Sequence, residues 1–205
     1  MFVMSIAMSM YLSFIATIGG EYGIAAFSSG NRLYLFAIMP LTAIGSAVTA
    51  VSGSAYGAKN GEYISRAHIF GSKFGILFGS AVTILLVVFA PQLSLLFAYT
   101  SDTAALVPGI TQYLRIACLC LPFTGAGMVS SFLYQGLGKG FMSLSWTIIR
   151  EVIFTVSLTY LFGIIIGWGL IGIWSGIALG RTLASVLNFI TARFTIRHVR
   201  SNLVK

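Results

Sequence analysis

The chain is 205 residues long, 58% hydrophobic, 14% aromatic and only 8% charged. Soluble domains carry about 25% charged residues, so this composition excludes an ordinary cytosolic fold, and the hydrophobicity excludes a disordered tail. Twelve Lys and Arg against four Asp and Glu give a net charge of +8; because the basic residues flank long apolar runs, they belong to a membrane surface rather than to nucleic acid.

A helical crossing needs about 20 apolar residues, and the sequence predicts an all-α polytopic bundle of six spans. In chain order they cover about 2–18, 24–56, 70–90, 110–135, 141–166 and 172–193, with a basic tail at 194–205. Glu21 and Tyr22 form the first turn, and Gly57 to Glu62 the second, polar one. Residues 91–108, with Asp102 between two prolines, suit a loop carrying a short interfacial helix. Gly136-Leu137-Gly138-Lys139-Gly140 closes the fourth span. Residues 152–180 carry no charge and could form one long helix, leaving five spans, but Gly163, Gly167, Gly169 and Gly172 cluster there with Trp168. Glycine-rich turns beside an interfacial Trp favour a connection. The apolar N-terminus has no basic region before it, so no cleavable signal peptide is expected. Cys118 and Cys120 lie two apart, on roughly opposite helix faces, which favours neither a mutual disulfide nor a metal chelate.

Six spans place both termini on one side. Lys59, Arg66, Lys73, Lys139, Arg193, Arg197, Arg200 and Lys205 fall on that side, whereas the opposite loops hold only Glu21 and Asp102. Basic loops stay in the cytoplasm, so both termini are expected there, in a multi-pass cell-membrane protein.

Small residues recur every fourth position in three rows: Gly45, Thr49, Gly53, Gly57; Gly71, Gly75, Gly79; and Gly172, Gly176, Gly180, Ala184. Such rows let backbones approach closely in lipid; tight packing and a smooth sliding surface both remain open. Pro40 and Pro122 interrupt their spans as candidate hinges, each removing a hydrogen bond and kinking the rod.

Arg150 and Arg181 fall close to the midplane, where a charge costs roughly 2.5 kcal/mol or more. Glu151 adjoins Arg150, but sequence neighbours point about 100° apart on an α-helix, so Glu151 is expected to pair with Arg181 across the contact of the last two spans. A structural ion pair and a charge lining a pathway are both open. Gln112, Tyr134, Gln135 and Asn188, with Tyr113, are the further polar groups that could touch a cargo. Arg32 and Arg115 lie nearer span ends, where they can snorkel to the interface. His68 and His198 are expected in the cytoplasmic flanks, in contact with phospholipid or solvent.

Enzyme chemistry is not expected. An intramembrane serine protease needs a Ser and a His within the spans, but the nearest approach, Trp174-Ser175-Gly176, follows Ile173, and neither histidine is expected inside the hydrocarbon. Neither a phosphate loop nor a metal-binding His-Glu-x-x-His is present, and no cofactor is implied.

Val51-Ser52-Gly53-Ser54-Ala55-Tyr56-Gly57-Ala58-Lys59-Asn60, after a proline-bearing span, resembles the signature of multidrug and toxic compound extrusion (MATE) transporters. Gly53, Gly57 and Ala58 occupy the turn positions of that signature. Phe132 to Lys139 followed by Ile149-Arg150-Glu151-Val152 is similar to the family's fourth-to-fifth span turn, and Gly169-Leu170-Ile171-Gly172-Ile173-Trp174 to its entry into the last span. The resemblance implies the second half of a twelve-helix antiporter that exports amphipathic or cationic drugs in exchange for Na⁺ or H⁺. Ser54 stands where the family has Gln, Ser157 where it often has Pro, and spans one and four lack the family's carboxylates. The chain is therefore expected to be a fragment, a split gene product or a self-associating half. Its partners would be a first half or a second copy, membrane lipids and a small-molecule cargo. A lipid-linked oligosaccharide flippase or polysaccharide exporter of the same superfamily, or a non-transporting membrane interaction protein, is the alternative.

Overall fold

A computed structural model describes residues 2–96 and 104–203; Asp102 and Lys205 lie outside them. The first helical stretch, Phe2–Gly57, is 56 residues long, about 84 Å at 1.5 Å per residue and far more than one crossing requires. It is broken at Gly20, whose φ of 54° and ψ of −147° are non-helical. Residues 2–19 form span one and residues 21–57 span two. The break falls one residue before the expected Glu21–Tyr22 turn and lets the two rods fold back on each other: Met4, Met8 and Tyr11 share one cavity with Asn31, Tyr34 and Ile38. The helical dihedrals continue through Pro40, so the break in this stretch belongs to the glycine and not to the proline.

Span three, Gly61–Val88, begins nine residues earlier than its apolar run, capped by Asn60, whose side chain accepts from the Tyr63 amide. A short helix, Ala90–Leu95, follows, with proline in its first turn. Span four is two rods, Val107–Ala117 and Leu121–Gly136, joined by a 3₁₀ turn at Cys118–Cys120. Pro122 opens the second rod, where its missing N–H costs nothing. Both cysteines are buried and free, without the mutual disulfide that their spacing disfavours, in the most deeply buried of the long apolar stretches.

Span five runs Gly140–Ile165 and span six Gly169–Leu203, separated by Gly167 and Gly169, both at positive φ. Residues 194–203 of the basic tail continue span six as helix, with Ile196 and Val199 buried in a cluster that includes Ile64 and Leu137. A larger cluster is centred on Trp174, which stacks on Phe27 at 5.8 Å and meets Tyr113 edge-on at 5.0 Å.

The bundle is inside out relative to a soluble domain. Phe36, Phe70, Leu77 and Phe141 are 67%, 73%, 68% and 81% exposed, whereas Gly71, Gly75 and Gly79 are buried against span four. Lipid tails solvate large apolar side chains as well as a core does, so helices associate through their small residues.

Candidate functional site

Span five does not wind as a regular α-helix around its charges. Ile149–Val156 is a π-helix, in which the Thr155 hydroxyl donates to the Arg150 carbonyl at 2.7 Å. The wider turn re-aims the side chains, and π segments concentrate at functional positions for that reason. Within it, Arg150 Nε donates to Glu151 Oε1 at 3.0 Å. The pair forms between sequence neighbours although the divergence of adjacent positions on a helix argued against it.

Glu151 also meets Arg181, whose Nη2 lies 4.0 Å from Oε2, so the cross-span pair is present as well. The Tyr11 hydroxyl of span one lies 3.0 Å from Oε2 and 3.1 Å from the Glu151 carbonyl. Glycines bring span six close enough for this. A Cβ on Gly180 would sit 2.6 Å from Thr155 Cα, and one on Gly176 would sit 2.5 Å from Thr159 Cα. With backbones this close, Arg181, one residue past Gly180, reaches the carboxylate. Its guanidinium lies 4.9 Å from the Tyr34 ring centroid, a cation–π contact.

These groups line a cavity of 600 Å³ walled by spans one, two, four, five and six. Asn31, Arg150, Glu151 and Arg181, with the hydroxyl side chains of Ser5, Tyr11, Tyr34, Thr42 and Thr124, are its polar lining; Met4, Met8, Met128, Leu35 and Ile38 supply apolar surface. The Tyr113 hydroxyl donates to Asn31 Oδ1 at 3.4 Å from behind. Among the described residues no cluster of His, Cys, Asp or Glu could hold a metal ion.

Of the residues expected on the pathway, the structure brings Arg150, Glu151 and Arg181 together and leaves the other four elsewhere. Tyr134 donates to Thr191 at 3.2 Å and Gln135 to Ser143 at 3.1 Å. Asn188 ties span six to span four through the Gly127 carbonyl and the Ser131 hydroxyl, both at 2.9 Å. Gln112 is half-buried on span four, away from the cavity. The signature turn lies at the far end of span two: Lys59 takes positive φ, and Gly53 packs on the Gly136 carbonyl. His68 is fully buried, bonded to Ser130 at 3.0 Å and stacked on Phe189, not solvated as expected. The early start of span three puts it two turns inside the bundle.

The MatE family profile matches residues 1–161, most of the chain. The chain belongs to the MatE family. Solved structures agree with that assignment. A MATE protein crystallised in complex with MaL6 superposes with a TM-score of 0.95 at 34% identity, covering 98% of this chain and 44% of its own. The inward-facing form of a multidrug resistance MATE family transporter gives 0.94 at 34%, covering 97% and 45%. A MOP superfamily transporter from Pyrococcus furiosus Vc1, for which reverse polarity of the binding pocket suggests a different function, also gives 0.94 at 34%, covering 97% and 44%. A search of curated protein sequences finds no match. This MatE chain thus spans less than half the length of the solved transporters it resembles, and its five long apolar helical stretches make it a multi-pass membrane protein.

Tyr11, Asn31, Tyr34 and Thr124 were not singled out from the sequence. Asn31 carried a usable signal, since an amide inside an apolar span needs a polar partner or a cavity. The tyrosines carried none, being as common at interfaces as in cavities.

Proposed function

We propose that this MatE bundle is one half of a secondary active transporter and that the cavity is its share of the cargo route. Completed by a second six-helix bundle, from a first half or another copy, the assembly exports amphipathic xenobiotics across the cell membrane by antiport against Na⁺ or H⁺. Both termini face the cytoplasm, on the side of the basic turns. No enzymatic step is part of this reading.

The observation that carries it is the buried Arg150–Glu151–Arg181 cluster opening into a cavity with apolar walls. An ion cluster is a poor way to hold helices together, because apolar packing of the same volume does as well or better. Placed in a cavity within lipid, it marks a route for polar or charged groups. Alternating access needs two bundles rocking about a central site, and the similar structures include inward-facing and outward-facing forms.

The test is ethidium efflux from a drug-sensitive host expressing the chain alone and with a related first half, under an imposed Na⁺ or proton gradient. Flux that needs the first half marks it as the partner, flux from the chain alone means that a second copy completes the cavity, and the gradient that drives it identifies the coupling ion. Absence of flux in every combination, with the protein confirmed in the membrane, overturns the reading.

A further inference from the structure

The cavity holds two guanidinium groups and one carboxylate, which leaves one positive charge over. Among the described residues no other acid is placed to cancel it. Glu62 pairs with Arg66 at 2.6 Å on an exposed helix start, Glu21 is exposed beside the Gly20 break, and Asp102 lies outside the described residues. Glu151 itself is occupied by Arg150 Nε, the Tyr11 hydroxyl and Arg181.

The two arginines differ in what they have left to offer. Arg181 lies over the Tyr34 ring, and its Nε and Nη1 are buried without a hydrogen-bond partner, out of reach of a group in the cavity. Arg150 uses only Nε on Glu151, and among the described residues its Nη1 and Nη2 make no hydrogen bond. Its side chain is 17% exposed and lines the cavity. A guanidinium edge with two free amino groups is the donor pattern that matches a carboxylate or phosphate, and such charge-assisted bonds are about twice as strong as neutral ones. Met4, Met8 and Met128 line the same space, and thioether side chains repack around irregular apolar groups.

We propose that Arg150 receives the anionic head of an amphipathic cargo, a carboxylate or phosphate monoester carried on an apolar tail that lies along the methionine wall. The proposal rests on the transport reading and narrows its cargo, away from the cationic drugs that the family resemblance implies.

The test uses the chain as its cell makes it, purified into phosphatidylcholine nanodiscs, with binding followed by equilibrium dialysis. The probes are radiolabelled dodecyl phosphate, dodecyltrimethylammonium and inorganic phosphate. Dodecyl phosphate is expected to bind about tenfold or more tighter than the equal-tailed cation, as loss of one charge-assisted pair is worth about that factor. Arg150→Gln removes this preference, Arg150→Lys restores part of it, and the surface variant Arg66→Gln leaves it unchanged. Displacement of dodecyl phosphate by inorganic phosphate assigns the site to the head group alone; lack of displacement assigns it to the lipid-like molecule as a whole. Equal binding of anion and cation, or an Arg150→Gln variant indistinguishable from wild type, overturns the proposal. In proteoliposomes of the completed assembly, movement of the cation but not the anion overturns the charge assignment alone. Movement of neither overturns the transport reading while leaving Arg150-dependent binding intact.

Discussion

Replacing Glu151 with Ala removes the acceptor of three groups at once: Arg150 Nε at 3.0 Å, the Tyr11 hydroxyl at 3.0 Å and Arg181 Nη2 at 4.0 Å. The carboxylate is 9% exposed and Arg181 16%, so water cannot replace it fully. Breaking one partner out of a buried ion pair costs about 3–5 kcal/mol, because a charge is left uncompensated. Arg150 recovers part of its share by turning toward the cavity, which places the expected loss for Glu151→Ala near 3 kcal/mol. Glu151→Gln keeps one acceptor oxygen where Arg150 Nε and the Tyr11 hydroxyl use two, so it retains one of these bonds and loses the charge, and about half of that is expected. Reversible unfolding in mixed micelles, with lipid-solubilised protein as reference, measures both. Because Arg181 is destabilising only while it lacks its partner, Glu151→Ala combined with Arg181→Leu should lose less than the two changes summed, by about 1 kcal/mol or more. A Glu151→Ala variant within 0.5 kcal/mol of wild type, or strict additivity of the pair, would falsify the view of these groups as one coupled cluster.

Gly180→Ala drives a methyl group to 2.6 Å from Thr155 Cα, and overpacking of this kind costs about 1–3 kcal/mol; Gly57→Ala, with nothing within 4 Å, should be neutral in the same unfolding assay. Gly20→Ala faces open space but a φ of 54°, and should lose about 1–2 kcal/mol from backbone strain alone; an unchanged midpoint would mean the break forms without the glycine. Tyr11→Phe removes the span-one bond to Glu151 and should cost about 1 kcal/mol, with amide exchange rising in span one ahead of the rest of the bundle. His68→Ala removes the contacts to Ser130 and Phe189 and should cost about 2 kcal/mol or more if the imidazole is a packed core group, whereas a solvated histidine would tolerate the change.

Much of this fold was legible because membranes impose one-dimensional rules. Lengths of apolar sequence count crossings, the glycines around Trp168 separate the last two spans, and small residues four apart mark the faces that meet. The Gly172, Gly176, Gly180 row does pack, against the backbone of span five at Phe162, Thr159 and Thr155. Arg150, Glu151 and Arg181 stood out for the energetic reason that charge in lipid needs a partner or a cavity, and the structure places all three at one.

What the sequence could not decide was phase and neighbourhood. Arg150 pairs with Glu151 inside a π-helical segment, and both cysteines sit buried in a 3₁₀ turn; neither departure from α geometry is legible in sequence spacing. His68 reads as a flanking residue from its basic surroundings, yet it is buried because span three begins at Gly61. Tyr11, Asn31 and Tyr34 come from the two arms of a chain broken at Gly20, and meet the charges of spans five and six only when those arms close over them. Hydropathy along the chain determined that these helices enter the membrane. Which faces meet inside it was decided by backbone approach at glycines and by local changes of helical pitch, because in lipid apolar surface is content on either side.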